Sequence, residues 1–421
     1  MLRSAATPRS PRPAVRQALR HRRTAAIQTL CRHLATAAGG TVINTDPTAT
    51  AQEALAPSGA FTAFQQRRHF AALDGLRCLA ILGVLFLHSP LSEPAAAVFR
   101  LFGRGFLGVD LFFVISGFLI TTLLLREQAR TGRISIRRFY RRRALRILPL
   151  YLLVVTALGV YFALLKGDAG AARLWPWYYG FLANTLVDHI PMLAPTWSLS
   201  VEEQYYLLWP LALILLPRRW LPWGIALFVL AYTVALGTGL GDLAWRVGPL
   251  AFTLAAFPYT AILSGSALAL LLHRPRSFAG LWALLGGRQA SLGLALLLLI
   301  ELALLPETLL GWPLLLIHLT MAAWLGALVI REDTPLMPLL RLRPVMRIGA
   351  VSYGIYLLHL IAAHVAGIAL PRLWGPVDAH PLLYVALFWG LSWAMAEVSF
   401  RLFERPFLEL RHRKGELTRN G

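Results

Sequence analysis

The 421-residue chain reads as an all-α polytopic membrane protein, with about ten transmembrane helices packed in one bundle. Three observations predict that class. Hydrophobic residues make up 57% of the chain and charged residues only 14%. Apolar runs of about twenty residues, the length that crosses a bilayer, recur from residue 73 to residue 403. The arginines gather between those runs, and on alternate loops.

The runs lie at about 73–90, 106–125, 144–165, 200–216, 220–240, 249–272, 289–306, 312–330, 349–371 and 382–403. The stretch "LWPWYYGFLANTLVDHI" (174–190) is short, aromatic and broken by Asp188, so it reads as an interfacial or re-entrant segment. With ten spans, the loops on one side hold 23 Lys and Arg and those on the other hold 6. The positive-inside rule then predicts that both termini are cytoplasmic, as expected in a bacterial inner membrane. Counting 174–190 as a full span would place the arginine-rich loops outside.

The net charge of +21 forms no aromatic-interleaved patch, so a nucleic-acid partner is not expected; topology and anionic lipid explain the charge. Only Cys31 and Cys78 occur, and Cys78 lies in the first run. That leaves no disulfide framework and no cysteine metal site. Residues 1–70 carry ten arginines against Asp46 and Glu53. Such a stretch cannot build a core and has no apolar segment of a secretory signal. Its composition also resembles an organelle transit peptide, but a disordered cytoplasmic extension is the preferred reading. The expected division is a disordered basic extension at 1–66 that is dispensable, a membrane domain at 67–410 and a cytoplasmic tail at 411–421.

The first run, "LDGLRCLAILGVLFLH", keeps Arg77 near its start and His88 at its end. At about 1.5 Å per residue the two stand roughly 16 Å apart, about half the hydrocarbon thickness. Charge and imidazole are costly in lipid and mark a candidate site, although a snorkelling arginine and an interfacial histidine would look the same. "GFLGVDLFFVISGFLIT" puts Asp110 just inside the outer end of the second run. "PTWSLSVEEQYYLLWP" opens the fourth with Trp197, Ser198, Ser200, Glu202 and Glu203. A carboxylate beside His88 would orient it as a general base. Glu202 and Glu203 differ by about 100° around a helix, so only one is expected to face the site.

On the opposite side, Arg77 and the arginines at 137, 138, 141, 142, 143 and 146 suggest a cationic funnel. Arg143 and Arg146 share a helix face, and guanidinium forks suit a polyphosphate. Lipid headgroups and topology are the competing explanation, weakest for the deeper Arg146. His318, His359, His364, Glu301 and Glu397 lie in later runs. Lone residues of this kind more often serve helix–helix hydrogen bonds, and His359 is the best of them as a site candidate.

In order along residues 70 to 410, these elements resemble the membrane acyltransferase-3 family, bacterial O-acyltransferases that modify surface polysaccharides and some small glycosides. "LDGLRCLAILGVLFLH" is similar to its opening Arg/Lys–ten residues–His element, and "GFLGVDLFFVISGFLIT" to its second-span signature. "RRRALRILPLY" carries Arg-x-x-Arg at Arg143 and Arg146. "TWSLSVEEQYYLLWP" resembles its Trp-Ser-Leu-x-Val-Glu-Glu-Gln-Phe-Tyr block, with Tyr205 where phenylalanine is usual; "VSYGIYLLH" and "FERPFLEL" match the closing segments. The resemblance implies acyl-CoA as co-substrate on the cytoplasmic side, no bound cofactor, and a carbohydrate or glycolipid acceptor near the outer face. It makes His88 and Arg77 essential and gives the donor to Arg143 and Arg146. A soluble hydrolase-like domain often follows the last span in this family and is not expected in this chain.

The leading expectation is transfer of an acyl group, acetyl in the first instance, from acyl-CoA to a hydroxyl. His88 would be the base, Glu202, Glu203 or Asp110 would hold its tautomer, and Ser198, Ser200 or Trp197 would stabilise the oxyanion. A glycan or glycolipid transporter is the alternative; it lacks duplicated halves and paired broken helices. A non-catalytic scaffold leaves Arg77 and His88 unexplained.

Overall fold

The computed structural model describes residues 56–67, 69–90, 103–306 and 308–416. The stretch "APSGAFTAFQQ" places Phe61 and Phe64 three residues apart, on one face of helix α1 (Ala56–Gln66). Phe64 is fully buried against Phe70, Phe278 and His273, with ring centroids 5.3–5.8 Å away. Arg126 donates to the carbonyls of Phe64 (2.7 Å) and Arg67 (2.5 Å). Arg67 donates to Val329 O and pairs with Glu332 at 3.3 Å; burial holds its pKa below the ordinary arginine value, with Glu332 opposing. Helix α1 lies within the stretch expected to be disordered at 1–66, and its residues pack on the bundle. The Ala/Thr/Arg background concealed an aromatic face only one turn long. Residues 1–55, with Cys31, lie outside the described residues.

A test follows directly. A chain starting at Arg67 loses Phe64, whose removal from a core costs about 3–5 kcal/mol. It is expected to unfold in detergent at a clearly lower temperature than a chain starting at Ala56, followed by tryptophan fluorescence. Equal midpoints would show that α1 docks without stabilising the bundle.

Most of the remaining helices overlap the predicted runs, whereas Pro275–Leu285, Met337–Leu340 and Arg343–Ala350 form in stretches expected to be loops. In order, the helices are α2 (Ala72–Leu87), α3 (Leu107–Thr131), α4 (Ile136–Gly159, continued by a π turn to Leu165), α5 (Ala169–Tyr179), α6 (Thr196–Leu215), α7 (Leu221–Gly237) and α8 (Thr260–Leu272). Then come α9 (Pro275–Leu285), α10 (Ala290–Leu304), α11 (Trp312–Ile330), α12 (Met337–Leu340), α13 (Arg343–Ala350) and α14 (Ser352–Leu373). Helix α15 (Pro381–Ser399) runs through a second π turn into α16 (Arg405–Glu416), so part of the expected tail is helical.

The all-α membrane class fits, but the count of ten spans does not follow. Among the described residues five helices are long and apolar enough to cross a membrane: α3, α4, α11, α14 and α15. The number is six if α9 and α10, bent by 71°, form one span. The other predicted runs are helices that fall short for identifiable reasons. Helix α2, with 16 residues, reaches only about 24 Å. Helix α6 has the length but carries Glu202, Glu203 and Gln204. The run 249–272 begins in an antiparallel ribbon, Trp245–Val247 with Leu250–Phe252, and only its last 13 residues form α8.

The 174–190 segment folds back on α4. Helix α5 packs antiparallel on α4: Trp175 Nε1 donates to Val155 O (3.1 Å) and Tyr151 Oη to Tyr178 O (2.7 Å). The chain reverses at Phe181, which has φ +52° and stacks on Tyr151 at 4.4 Å.

Helix α3 is gripped from both sides by glycine contacts. A methyl group at Gly117 would strike the carbonyl oxygen of Ile262, and one at Gly265 that of Val114, so α3 and α8 touch backbone to backbone. A methyl at Gly108 would likewise strike Ala80 O on α2.

Candidate active site

Helical periodicity puts the polar residues of five helices, α2, α3, α4, α6 and α14, into two cavities that follow one another along the bundle. On α14, Ser352, Tyr353, Tyr356, His359 and Leu360 share one face at i, i+3/i+4 spacing. The first two line one cavity, the last two line the other, and Tyr356 touches both. Helix α3 repeats the arrangement. Its Phe112 and Ser116 face the first cavity, its preceding residue Phe106 faces the second, and Val109 touches both.

The first cavity, about 730 Å³ including its mouth, holds Arg77, Arg143, Arg146 and Glu202. Arg77 donates to Asp74 (2.9 Å), three residues earlier. Arg143 lies over the Tyr206 ring, 5.6 Å from its centroid. Neither Arg143 nor Arg146 has an acid within ion-pair distance among the described residues; both line this cavity, and Arg143 also lines a side cavity with Glu203. The expected funnel divides here. Arg138 and Arg142 pair with the buried Glu127 of α3, at 3.5 and 3.3 Å, and hold α4 against it.

Glu202 accepts hydrogen bonds from the hydroxyls of Ser116 and Tyr206 on the arginine side. Glu203 points elsewhere, into a side cavity beneath Phe181, with one carboxylate oxygen buried and unpartnered. The rotation between the two acids is thus resolved: Glu202 faces the arginine cavity.

The second cavity, about 520 Å³, is lined by His88, His359, Trp197 and Pro195. His88 is exposed at the cavity wall, and its ring meets that of the fully buried His359 edge-on at 4.8 Å. Each imidazole has Nδ1 against a carbonyl of its own helix: Val84 O at 2.9 Å for His88, Tyr356 O at 2.6 Å for His359. A carbonyl only accepts, so Nδ1 carries the proton and Nε2 of each neutral ring keeps its lone pair. His359 Nε2 is buried without a partner.

This corrects the expected tautomer holder. Among the described residues none of Asp110, Glu202 and Glu203 hydrogen-bonds His88; a backbone carbonyl does that work. Asp110 faces His318 at 3.5 Å, and His318 Nδ1 lies 2.9 Å from Thr260 Oγ1, joining α3, α8 and α11. Ser200 accepts from Ala183 N and donates to Thr196 O, so it is occupied away from either cavity. Ser198 Oγ lies 2.7 Å from Tyr356 Oη at the boundary between the cavities. Of the later residues, Glu301 accepts from Thr320 (2.7 Å), Glu397 pairs with Arg347 and Arg401, and His364 is exposed outside both cavities. Sequence reasoning passed over Tyr206, Tyr356 and Glu127. The Glu202–Tyr206 spacing of one turn was the available signal for the first.

A family model described as an acyltransferase domain matches residues 70–396. Relatives include O-acetyltransferase OatA of Staphylococcus aureus (strain NCTC 8325 / PS 47), 35% identical over 185 residues, which is 40% of this chain and 29% of that protein. A provisionally named O-acetyltransferase of Staphylococcus aureus (strain COL), SACOL0978, is 33% identical over 202 residues, 43% of this chain and 32% of its own length. The matched region thus spans about a third of these relatives. No solved structure matches the chain.

Proposed function

Since this chain belongs to the membrane acyltransferase-3 family, we propose that it transfers an acyl group, acetyl in the first instance, from acyl-CoA to a hydroxyl of a saccharide or glycolipid. The observation that carries this reading is the pair of cavities in line, one with unpaired guanidiniums and the other with two imidazoles offering Nε2. The phosphates of the donor bind Arg143 and Arg146 from the cytoplasmic side, an orientation favoured by the loop charges. The pantetheine arm carries the thioester along the bundle to His88. His88 Nε2 takes the proton of the acceptor hydroxyl as that oxygen attacks the thioester carbonyl. The tetrahedral oxyanion collapses with cleavage of the C–S bond, and the imidazolium returns its proton to the departing thiolate. The products are an ester and free CoA. Acetyl is chosen because the relatives are named O-acetyltransferases.

The purified chain in liposomes, given acetyl-CoA labelled in the acetyl group and a panel of saccharides, is expected to place label on saccharide hydroxyls. Saccharide that crosses the membrane unmodified, with no label transferred, would replace this reading with transport.

A further inference from the structure

With Val84 O holding the tautomer of His88, Glu202 has no task at the imidazole. It stands instead in the arginine cavity, where a carboxylate opposes the binding of a polyanion. Its surroundings fix it there. Oε1 accepts from both Ser116 Oγ on α3 and Tyr206 Oη on α6. Among the described residues nothing donates to Oε2, and Glu202 is only half-buried on the cavity wall. Both hydroxyl protons are spent on Oε1, so the three side chains offer the cavity acceptors alone. The part of a ligand that lies here must bring a hydrogen-bond donor.

The order of residues along α6 identifies that part. Trp197 lines the histidine cavity and Ser198 stands at the boundary. Glu202 follows one turn inward, and Tyr206, whose ring Arg143 covers, one turn after that. A donor with its phosphates at Arg143 and Arg146 and its thioester beyond Ser198 lays the stretch between them along Glu202. In CoA that stretch is the pantetheine arm, which carries two secondary amides. We propose that Glu202 accepts the N–H of a pantetheine amide and so selects pantetheine thioesters over acyl donors that lack an amide. This rests on the acyl-transfer reading above. An N–H donated to an ionised oxygen is stronger than one donated to a neutral acceptor, and it offsets the repulsion between the carboxylate and the donor's phosphates. The two hydroxyls on Oε1 hold the carboxylate in place before the donor arrives, so little freedom is lost on binding.

Calorimetry on the full chain tests this with CoA and with the analogue in which ester oxygens replace both pantetheine amide nitrogens. The wild-type chain is expected to bind CoA about tenfold or more tightly than the analogue, the scale of one hydrogen bond to a charged group. In Glu202→Ala the ratio of the two affinities is expected to fall toward one. Glu202→Gln keeps an acceptor without the charge and is expected to retain only part of the ratio. A carboxylate that merely offset the guanidinium charges would change both affinities together and leave their ratio alone. A wild-type ratio near one, or a full ratio in Glu202→Ala, therefore overturns the inference and leaves acyl transfer standing. Should Glu202→Ala fail to bind CoA, the glutamine variant decides, and a full ratio there overturns the inference. A wild-type chain that binds neither compound overturns the donor assignment and this inference with it. A wild-type chain that shows the ratio but transfers no acyl group keeps this contact and overturns the transfer reading.

Discussion

Replacing His88 with alanine is expected to lower kcat for acyl transfer by roughly 10²–10⁴-fold, the range that a positioned general base contributes. The KM for acyl-CoA should stay near the wild-type value, because the donor's charges are met in the other cavity. His88 ends α2 and is exposed, so insertion and stability should be retained. Glutamine keeps the size and a donor but cannot take a proton at neutral pH, and it should be as inactive as alanine. His359→Ala is expected to fall between, since it removes the neighbouring ring and leaves the His88–Val84 bond in place. Single-turnover measurements at saturating acyl-CoA separate these cases. A wild-type rate in His88→Ala would take this imidazole out of the reaction.

The second large effect is expected at Arg143 and Arg146. Hydrogen bonds to charged groups contribute about 1.5–3 kcal/mol each, so alanine at either position should raise KM for acyl-CoA by roughly 10–100-fold with a smaller change in kcat. Lysine should recover part of the loss, because it keeps the charge but not the two-pronged geometry. Arg142→Ala is the informative control. That guanidinium is engaged by Glu127, so its loss should lower the thermal midpoint and leave KM alone. If Arg143→Ala and Arg146→Ala leave KM at its wild-type value, both arginines serve orientation or lipid and not the donor.

Much of this site was legible because helical spacing is a local property. The interval between Arg77 and His88 fixes their separation along α2 whatever packs around it. The three-residue step from Arg143 to Arg146 likewise fixes a shared face. What was hidden depends on rotation and on partners distant in sequence. Nothing in "YLLHLIAAH" says that His359 meets His88, and nothing near Asp110 points to His318. The carboxylate expected to orient His88 was sought among acids, whereas any helix supplies a carbonyl one turn back. Helix α1 was missed for a related reason: its one turn of aromatic residues gains meaning only from Phe278 and His273, far along the chain. Span counting failed where apolar composition outlasted the helix, as at 249–272, where a ribbon uses the first residues.

The glycine contacts of α3 have a mechanical consequence. Where two backbones touch there is no side chain between them to change rotamer, so α2, α3 and α8 behave as one stationary jaw. The facing elements are built otherwise: α4 and α6 each carry an internal proline, Pro149 and Pro210, and α4 ends in a π turn. Breathing of the passage is then one-sided. Val109 is expected to stay on the fixed wall, with the gap set by how far α4 and α6 lean away from it.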